Sequence, residues 1–177
     1  MRSALKFVVT MAVAVVLVLA FRALAFSVYT VEGKGLHPVY IHGDRLLVNR
    51  WSYGLRVDGN GVLPYSRMLR KPVEKGDIVL FDLPGDSVSG EFIARCQAVP
   101  GDTLHLKDGI VVVPGLKDCA DADYYWLESI NPMNPADSRH LGFISERNII
   151  GKVISILYSH DDRRPVWAGY RKERMFR

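Results

Sequence analysis

Apolar residues dominate the start of the chain. From Phe7 to Phe21 every residue is apolar except Thr10, and after Arg22 the apolar character resumes as far as Phe26. An α-helix of about 20 residues spans the hydrocarbon core of a bilayer, and an arginine near its end can extend its guanidinium group to the interface. The pattern is therefore typical of a membrane span or of a signal peptide.

The residues at the end of the apolar run distinguish a membrane span from a cleaved signal peptide. Residues 23–25 (Ala-Leu-Ala) follow the small-x-small pattern of a cleavage site, but Arg22 directly precedes them and the apolar run is long for a signal peptide. We therefore predict a cytoplasmic N-terminus over residues 1–6, an uncleaved transmembrane anchor over residues 7–26 and an extracytoplasmic domain over residues 27–177.

Behind the anchor, short segments rich in β-branched residues alternate with turn residues, which predicts a mainly β domain. Two long connections, over residues 51–75 and 113–137, have the length of binding or lid elements. Tight turns are expected at residues 100–102 and 107–109. The predicted strands cover residues 28–31, 45–49, 77–83, 90–99, 103–107, 110–113 and 151–157.

Length, charge and cysteine spacing narrow the functional classes. A chain of 177 residues suits one domain, and a net charge of +4 with cations near both termini does not indicate nucleic acid. We interpret the basic C-terminal residues as a solvated tail, with contact to anionic lipid as the alternative. Cys96 and Cys119 lack a CxxC spacing and the five histidines show no metal-ligand spacing, so we predict no metal site. We also predict no cofactor. The spacing of the two cysteines leaves open whether they form a disulfide in an oxidising compartment.

Four sequence motifs follow the anchor, and they occur in the order that is typical of one protein family. They are residues 35–40 (GLHPVY, followed by Gly-Asp and Val-Asn-Arg), 75–81 (KGDIVLF), 92–102 (FIARCQAVPGD) and 137–144 (DSRHLGFI, followed by Ile-Gly-Lys). Together they resemble the type I signal peptidases of peptidase family S26, membrane-anchored serine endopeptidases that remove signal peptides on the outer face of the bacterial membrane. The resemblance implies a signal-peptidase-like β domain on the extracytoplasmic side of the bacterial cytoplasmic membrane.

The resemblance also implies Ser-Lys chemistry, and three of its positions hold other residues. The family's serine nucleophile aligns with Gly35, its lysine base with Ala94, and the serine that orients the lysine with Pro135. A Ser-Lys hydrolase needs a hydroxyl beside an amine whose pKa is lowered by burial. Since these residues supply neither group, we predict a member of the family that lacks its own catalysis.

Structural roles follow from the same resemblance. Asp137 and Arg139 are expected to form an ion pair that braces the wall of the site. The residues expected to fix the backbone around it are Gly142, Pro100, Gly101 and Asp102.

Other reactive side chains lie near these positions in the sequence. Cys96 lies two residues beyond Ala94 on the same predicted sheet face, and a thiol there with His37 as its base would make an active enzyme with a displaced nucleophile. Lys34 adjoins Gly35, but on a turn it is expected to be a solvated cation. Two further alternatives are a site completed by a second subunit and an interaction module without a cleft.

Binding without cleavage is the function that these observations favour. An extended preprotein or other secreted segment would add to a strand edge of the cleft. The expected partners are membrane lipid, such a segment, and an active signal peptidase or surface-assembly proteins that the chain assists, but not nucleic acid.

Overall fold

The computed structural model describes residues 2–57, 65–83, 90–106, 109–118, 120–161, 163–165 and 167–176. Within the first helix, the side chains of residues 2–5, 20 and 22–24 are outside that description. Cys119 and most of the predicted turn at 107–109 also lie outside the described residues.

A single long helix, α1 (Arg2–Ala25), opens the chain and ends where the first strand begins. Its described side chains between residues 6 and 19 are all exposed. The rings of Phe21 and Trp51 meet edge to face at 4.4 Å, which connects the end of the helix to the β domain. Among the residues that the structure describes, no helix combines the length and the apolar character needed to cross a bilayer.

The rest of the molecule is mainly β, as predicted. Seven strands form one antiparallel sheet in the order β1-β2-β11-β5-β6-β9-β10, and β3-β4 and β7-β8 form separate hairpins. A short helix, α2 (Ser138–Leu141), precedes β10. The strands are β1 (Phe26–Thr30), β2 (Asp44–Asn49), β3 (Leu55–Val57), β4 (Ser66–Met68), β5 (Ile78–Asp82), β6 (Glu91–Ala98), β7 (Thr103–Leu106), β8 (Gly109–Val112), β9 (Tyr124–Glu128), β10 (Ile144–Ser145) and β11 (Ile149–Ser159).

Each predicted strand overlaps an observed one, but the two long connections are not simple loops. The connection over residues 51–75 contains β3 and β4, and the connection over residues 113–137 contains β9, which lies inside the main sheet. Tyr125 and Leu127 of β9 are fully buried. The prediction missed this strand although its aromatic residues favour a β conformation.

The sheet separates two hydrophobic cores. On β5 and β6, Val79, Ala94 and Cys96 face one core, and Leu80 and Ile93 face the other. This division follows from the two-residue period of a strand.

The sheet is also curled. The hydroxyl of Tyr29 on β1 donates to Oε1 of Glu91 on β6 at 3.0 Å, although β2, β11 and β5 lie between these strands in the sheet order. The curl brings the end of β1 close to the start of β6.

Candidate functional site

Gly35 lies on a loop that joins β1 to β2 and is closed at its base by backbone hydrogen bonds. The amide of Val31 donates to the carbonyl of Asp44 at 2.8 Å, and the amide of Gly43 donates to the carbonyl of Val31 at 3.2 Å. Within the loop, the amide of Tyr40 donates to the carbonyl of Leu36 at 3.0 Å. These bonds give the Gly35 turn a defined position over the sheet.

Asp44 fixes the same loop from the inside of the protein. Its buried carboxylate accepts hydrogen bonds from the amide of Ile41 at 2.9 Å, from Oγ of Ser159 at 2.5 Å and from Nη2 of Arg174 at 2.8 Å. Burial by itself would raise the pKa of Asp44, but these hydrogen bonds and the charge of Arg174 hold that pKa below its ordinary value. The carboxylate therefore stays ionised and holds the loop.

The loop over residues 131–136 lies against the Gly35 turn. Nδ2 of Asn131 donates to the carbonyl of Lys34 at 2.9 Å, and Nδ2 of Asn134 lies 3.5 Å from the carbonyl of Gly35. A Cβ at position 35 would lie 3.1 Å from Nδ2 of Asn134. The structure thus brings Gly35 beside the segment that contains Pro135.

A groove of about 300 Å³ opens beside Gly35. Ile93 lines it and Ala94 does not, since the two residues face different hydrophobic cores. Ala94 is instead fully buried in the core that contains Cys96. The residues that line the groove are Tyr29, Thr30, Val31, Glu32, Gly35, Leu36, Leu80, Glu91, Phe92, Ile93 and Asn134.

Residues 4–122 match the family model described as "Signal peptidase, peptidase S26". The chain belongs to this family. It is 27% identical over 173 residues to signal peptidase I of Bacillus caldolyticus, covering 80% of this chain and 84% of that protein. It is 28% identical over 171 residues to signal peptidase I V of Bacillus subtilis (strain 168), covering 80% and 91%. Signal peptidase I of Bacillus licheniformis is 32% identical over 115 residues, which cover 65% of this chain and 53% of that protein.

A buried hydroxyl lies near the position that we align with the lysine of the signal peptidases. Arg95 of β6 pairs with Glu128 of β9, and Ala94 and Ser129 are the next residues beyond that pair. Ser129 is 8% exposed, and its Oγ has no hydrogen-bond partner within the described part of the chain.

Cys96 was the alternative nucleophile for a peptidase of this family. Within the described part of the chain it is a free thiol, it is fully buried, and its Sγ lies 3.6 Å from the carbonyl of Ala98. Burial, followed by the charges of Asp77 and Asp102, raises the pKa of Cys96 to about 12. His37, its predicted base, is exposed on the turn. A thiol that remains protonated and closed off from solvent is a poor nucleophile.

Asp137 organises the start of α2. Its fully buried carboxylate accepts hydrogen bonds from the amide of Ser129 at 3.2 Å and from the amide and Nε of Arg139 at 3.1 and 2.7 Å. Burial alone would raise the pKa of Asp137, but the hydrogen bonds from Arg139, His140 and Ser129 keep that pKa below its ordinary value. At the other end of α2, Gly142 adopts a φ of 77°, which favours glycine. The carboxylate of Asp137 thus connects the start of α2 to Ser129, the residue that follows β9.

The turn formed by Pro100, Gly101 and Asp102 lies in a different place from the groove. Pro100 and Gly101 line a separate cleft of about 590 Å³, and the carboxylate of Asp102 pairs with Nζ of Lys75 at 2.9 Å. Pro100 and Gly101 therefore line that cleft and are not among the lining residues of the groove beside Gly35.

Sequence reasoning did not find the acidic residues of the groove, Glu32 and Glu91, or its apolar floor. Glu91 reaches the groove only through the curl of the sheet, which brings it to Tyr29. Neither residue belongs to a motif that we compared with the signal peptidases, so the alignment carried no signal for them.

Proposed function

We propose that this signal peptidase family member is membrane-anchored and binds an extended secreted or preprotein segment in the groove beside Gly35 without cleaving it. The main support for this proposal is the set of residues that line the groove. Among its described lining residues there is no Ser, Cys, Lys or His, and the residue at the turn is glycine. The hydroxyl groups that remain belong to Thr30 and Tyr29, and the pKa of Tyr29 is raised to about 12 by burial and by Glu91.

The position of the groove suits an extended ligand. It runs between the end of β1 and the start of β6, and β1 is an edge strand of the main sheet. An extended peptide can pair with such an edge through its backbone and place alternate side chains in the groove. Small or slender side chains suit a volume of about 300 Å³.

The anchor is part of the proposal and rests on the sequence. The apolar run from Phe7 to Phe21 forms part of α1, and its exposed Phe, Val and Leu side chains need an apolar environment. Basic residues at positions 2 and 6 would hold the N-terminus in the cytoplasm. The β domain would then lie outside the bacterial cytoplasmic membrane, where secreted segments and an active signal peptidase or surface-assembly partner are available.

Crosslinking combined with a cleavage assay tests this proposal. The full chain in lipid nanodiscs would carry p-benzoylphenylalanine at position 36, which lines the groove, or at position 172, which is exposed on the C-terminal segment. We expect a fluorescent preprotein to crosslink at position 36 and not at position 172, with its length unchanged over hours. Time-dependent release of mature protein by the purified chain would overturn the proposal. Loss of that release in Cys96→Ala would identify Cys96 as the nucleophile.

A further inference from the structure

We propose that the groove beside Gly35 selects an extended segment that carries a lysine or arginine, whose aliphatic stem lies on the apolar floor and whose charge lies between Glu91 and Glu32. This inference rests on the proposed binding function and adds the chemical class of the ligand. The charge of the groove is its first support. The only charged side chains among its described lining residues are these two glutamates.

The glutamates are available to a ligand. Glu32 has no hydrogen-bond or ion-pair partner among the residues that the structure describes, and Glu91 has one, the hydroxyl of Tyr29 on its Oε1 at 3.0 Å. Because the pKa of Tyr29 is raised to about 12, the phenol stays protonated and donates to Glu91. This bond orients the carboxylate and leaves Oε2 for a second donor.

The nearby cations do not neutralise the groove by contact. Arg50 acts on Tyr29 and Arg95 acts on Tyr40 through their charges, but neither arginine is among the lining residues. Lys34 lies on the turn beside Gly35, where its side chain is exposed and its carbonyl accepts the hydrogen bond from Asn131. The groove therefore presents two carboxylates to a ligand from the solvent side.

The floor of the groove is apolar. Leu80 and Ile93 form it from the sheet, and Val31 and Leu36 approach from the loop. Lysine and arginine side chains bury an aliphatic stem against such a surface while the charged end stays in a polar rim. A purely apolar side chain would cover the apolar floor but leave the carboxylates of Glu91 and Glu32 without a partner. These two carboxylates therefore favour a ligand with a positive charge.

Peptide binding to the full chain in nanodiscs tests the inference. The probes are two fluorescein-labelled octapeptides with alanine at seven positions and either lysine or norleucine at the remaining central position. Norleucine keeps the stem and lacks the charge. At low ionic strength we expect the lysine peptide to bind about fivefold more tightly, which is the size of a partly exposed charge interaction. The preference should decline as salt is added.

Charge variants identify the groups responsible. Glu91→Gln and Glu32→Gln should each reduce the ratio of the two affinities, and Glu91→Lys should reverse the preference. Glu173→Gln, at an exposed position on the C-terminal segment, is the matched control and should leave the ratio unchanged.

The outcomes separate this inference from the proposed function. Equal affinities for the two peptides, with both crosslinking to position 36, would overturn the cation preference and leave peptide binding intact. A lysine preference that Glu91→Gln and Glu32→Gln do not alter would also overturn it. Failure of both peptides and of the preprotein to bind would overturn the inference and the proposed function together.

Discussion

Arg174 donates a hydrogen bond from Nη2 to Oδ2 of Asp44 at 2.8 Å and a second from Nη2 to the carbonyl of Val39 at 2.7 Å. The C-terminal segment is thereby tied to the loop that carries Gly35. The basic C-terminal residues, which we interpreted as a solvated tail, thus include at least one cation with a structural role.

Replacing this arginine should destabilise the protein. Arg174→Ala would leave the buried carboxylate of Asp44 without its cation, and we expect the free energy of unfolding to fall by about 3 kcal/mol. Urea denaturation of the full chain measures this change. Lys172→Ala, at an exposed position in the same segment, is the control and should stay within about 0.5 kcal/mol of the parent chain. Equal values for the two variants would contradict the tether.

Acid should weaken the fold through Asp44 and Asp137. The pKa of each is lower in the folded protein than its ordinary value, so the unfolded chain binds protons more readily. The stability that they contribute is complete above an unfolded pKa of about 3.9 and is lost as the pH falls through the lower folded values. Urea denaturation between pH 7 and pH 2 should show this decline. Asp137→Asn should flatten it, whereas Asp121→Asn, with a side chain 68% exposed, should not.

Cys96 should resist alkylation in the folded protein. With a pKa raised to about 12, the thiolate fraction at pH 8 is on the order of 10⁻⁴, and the side chain is closed off from solvent. In a Cys119→Ser background, iodoacetamide labelling followed by mass spectrometry should be at least about 100-fold slower than in urea. Labelling of the native protein at the rate of a small free thiol would restore Cys96 as a candidate nucleophile.

Restoring the two aligned residues of the dyad should not restore efficient cleavage. Gly35→Ser is sterically accessible, since Gly35 does not require a positive φ and its Cβ would press only on the side chain of Asn134. Ala94→Lys, however, places an amine in an apolar core, and Pro135 has no hydroxyl to orient it. A hydrolase whose catalytic residues are removed loses on the order of 10⁶ in rate. Robust preprotein processing by the double variant would show that Pro135 does not limit cleavage. The variant for comparison combines Gly35→Ser and Ala94→Lys with Pro135→Ser.

The hydroxyl of Ser129 should be dispensable for stability. Oγ of Ser129 has no hydrogen-bond partner among the described residues, and a buried hydroxyl without a partner gains nothing from folding. Ser129→Ala should therefore be neutral or stabilising by up to about 1 kcal/mol. Ser138→Ala is the matched control, because Oγ of Ser138 accepts the amide of Leu127 at 2.9 Å, and its loss should cost about 1–2 kcal/mol. Thermal or urea unfolding distinguishes the two. Equal destabilisation would indicate that Ser129 has a partner.

The β character of the domain and the family pattern were readable from short stretches of the chain. Strand alternation and turn residues act over a few positions, and the predicted strands therefore matched observed ones. Strand β9 was missed because its aromatic residues stand inside a connection with Pro and Asp, and only its two sheet neighbours make it a strand.

The groove depended on the tertiary structure. Tyr29 and Glu91 are 62 residues apart, and Arg174 and Asp44 are 130 apart, so no local pattern links them. Strand alternation alone places Ile93 and Ala94 on opposite faces of the sheet. The curl of the sheet, by contrast, brings Glu91 to Tyr29 and so to the opening of the groove. Local residue preferences specify which segments become strands. The way a sheet bends and closes depends on the packing of side chains that are distant in the sequence. That packing therefore determined that the groove contains glutamates and so has a negative charge.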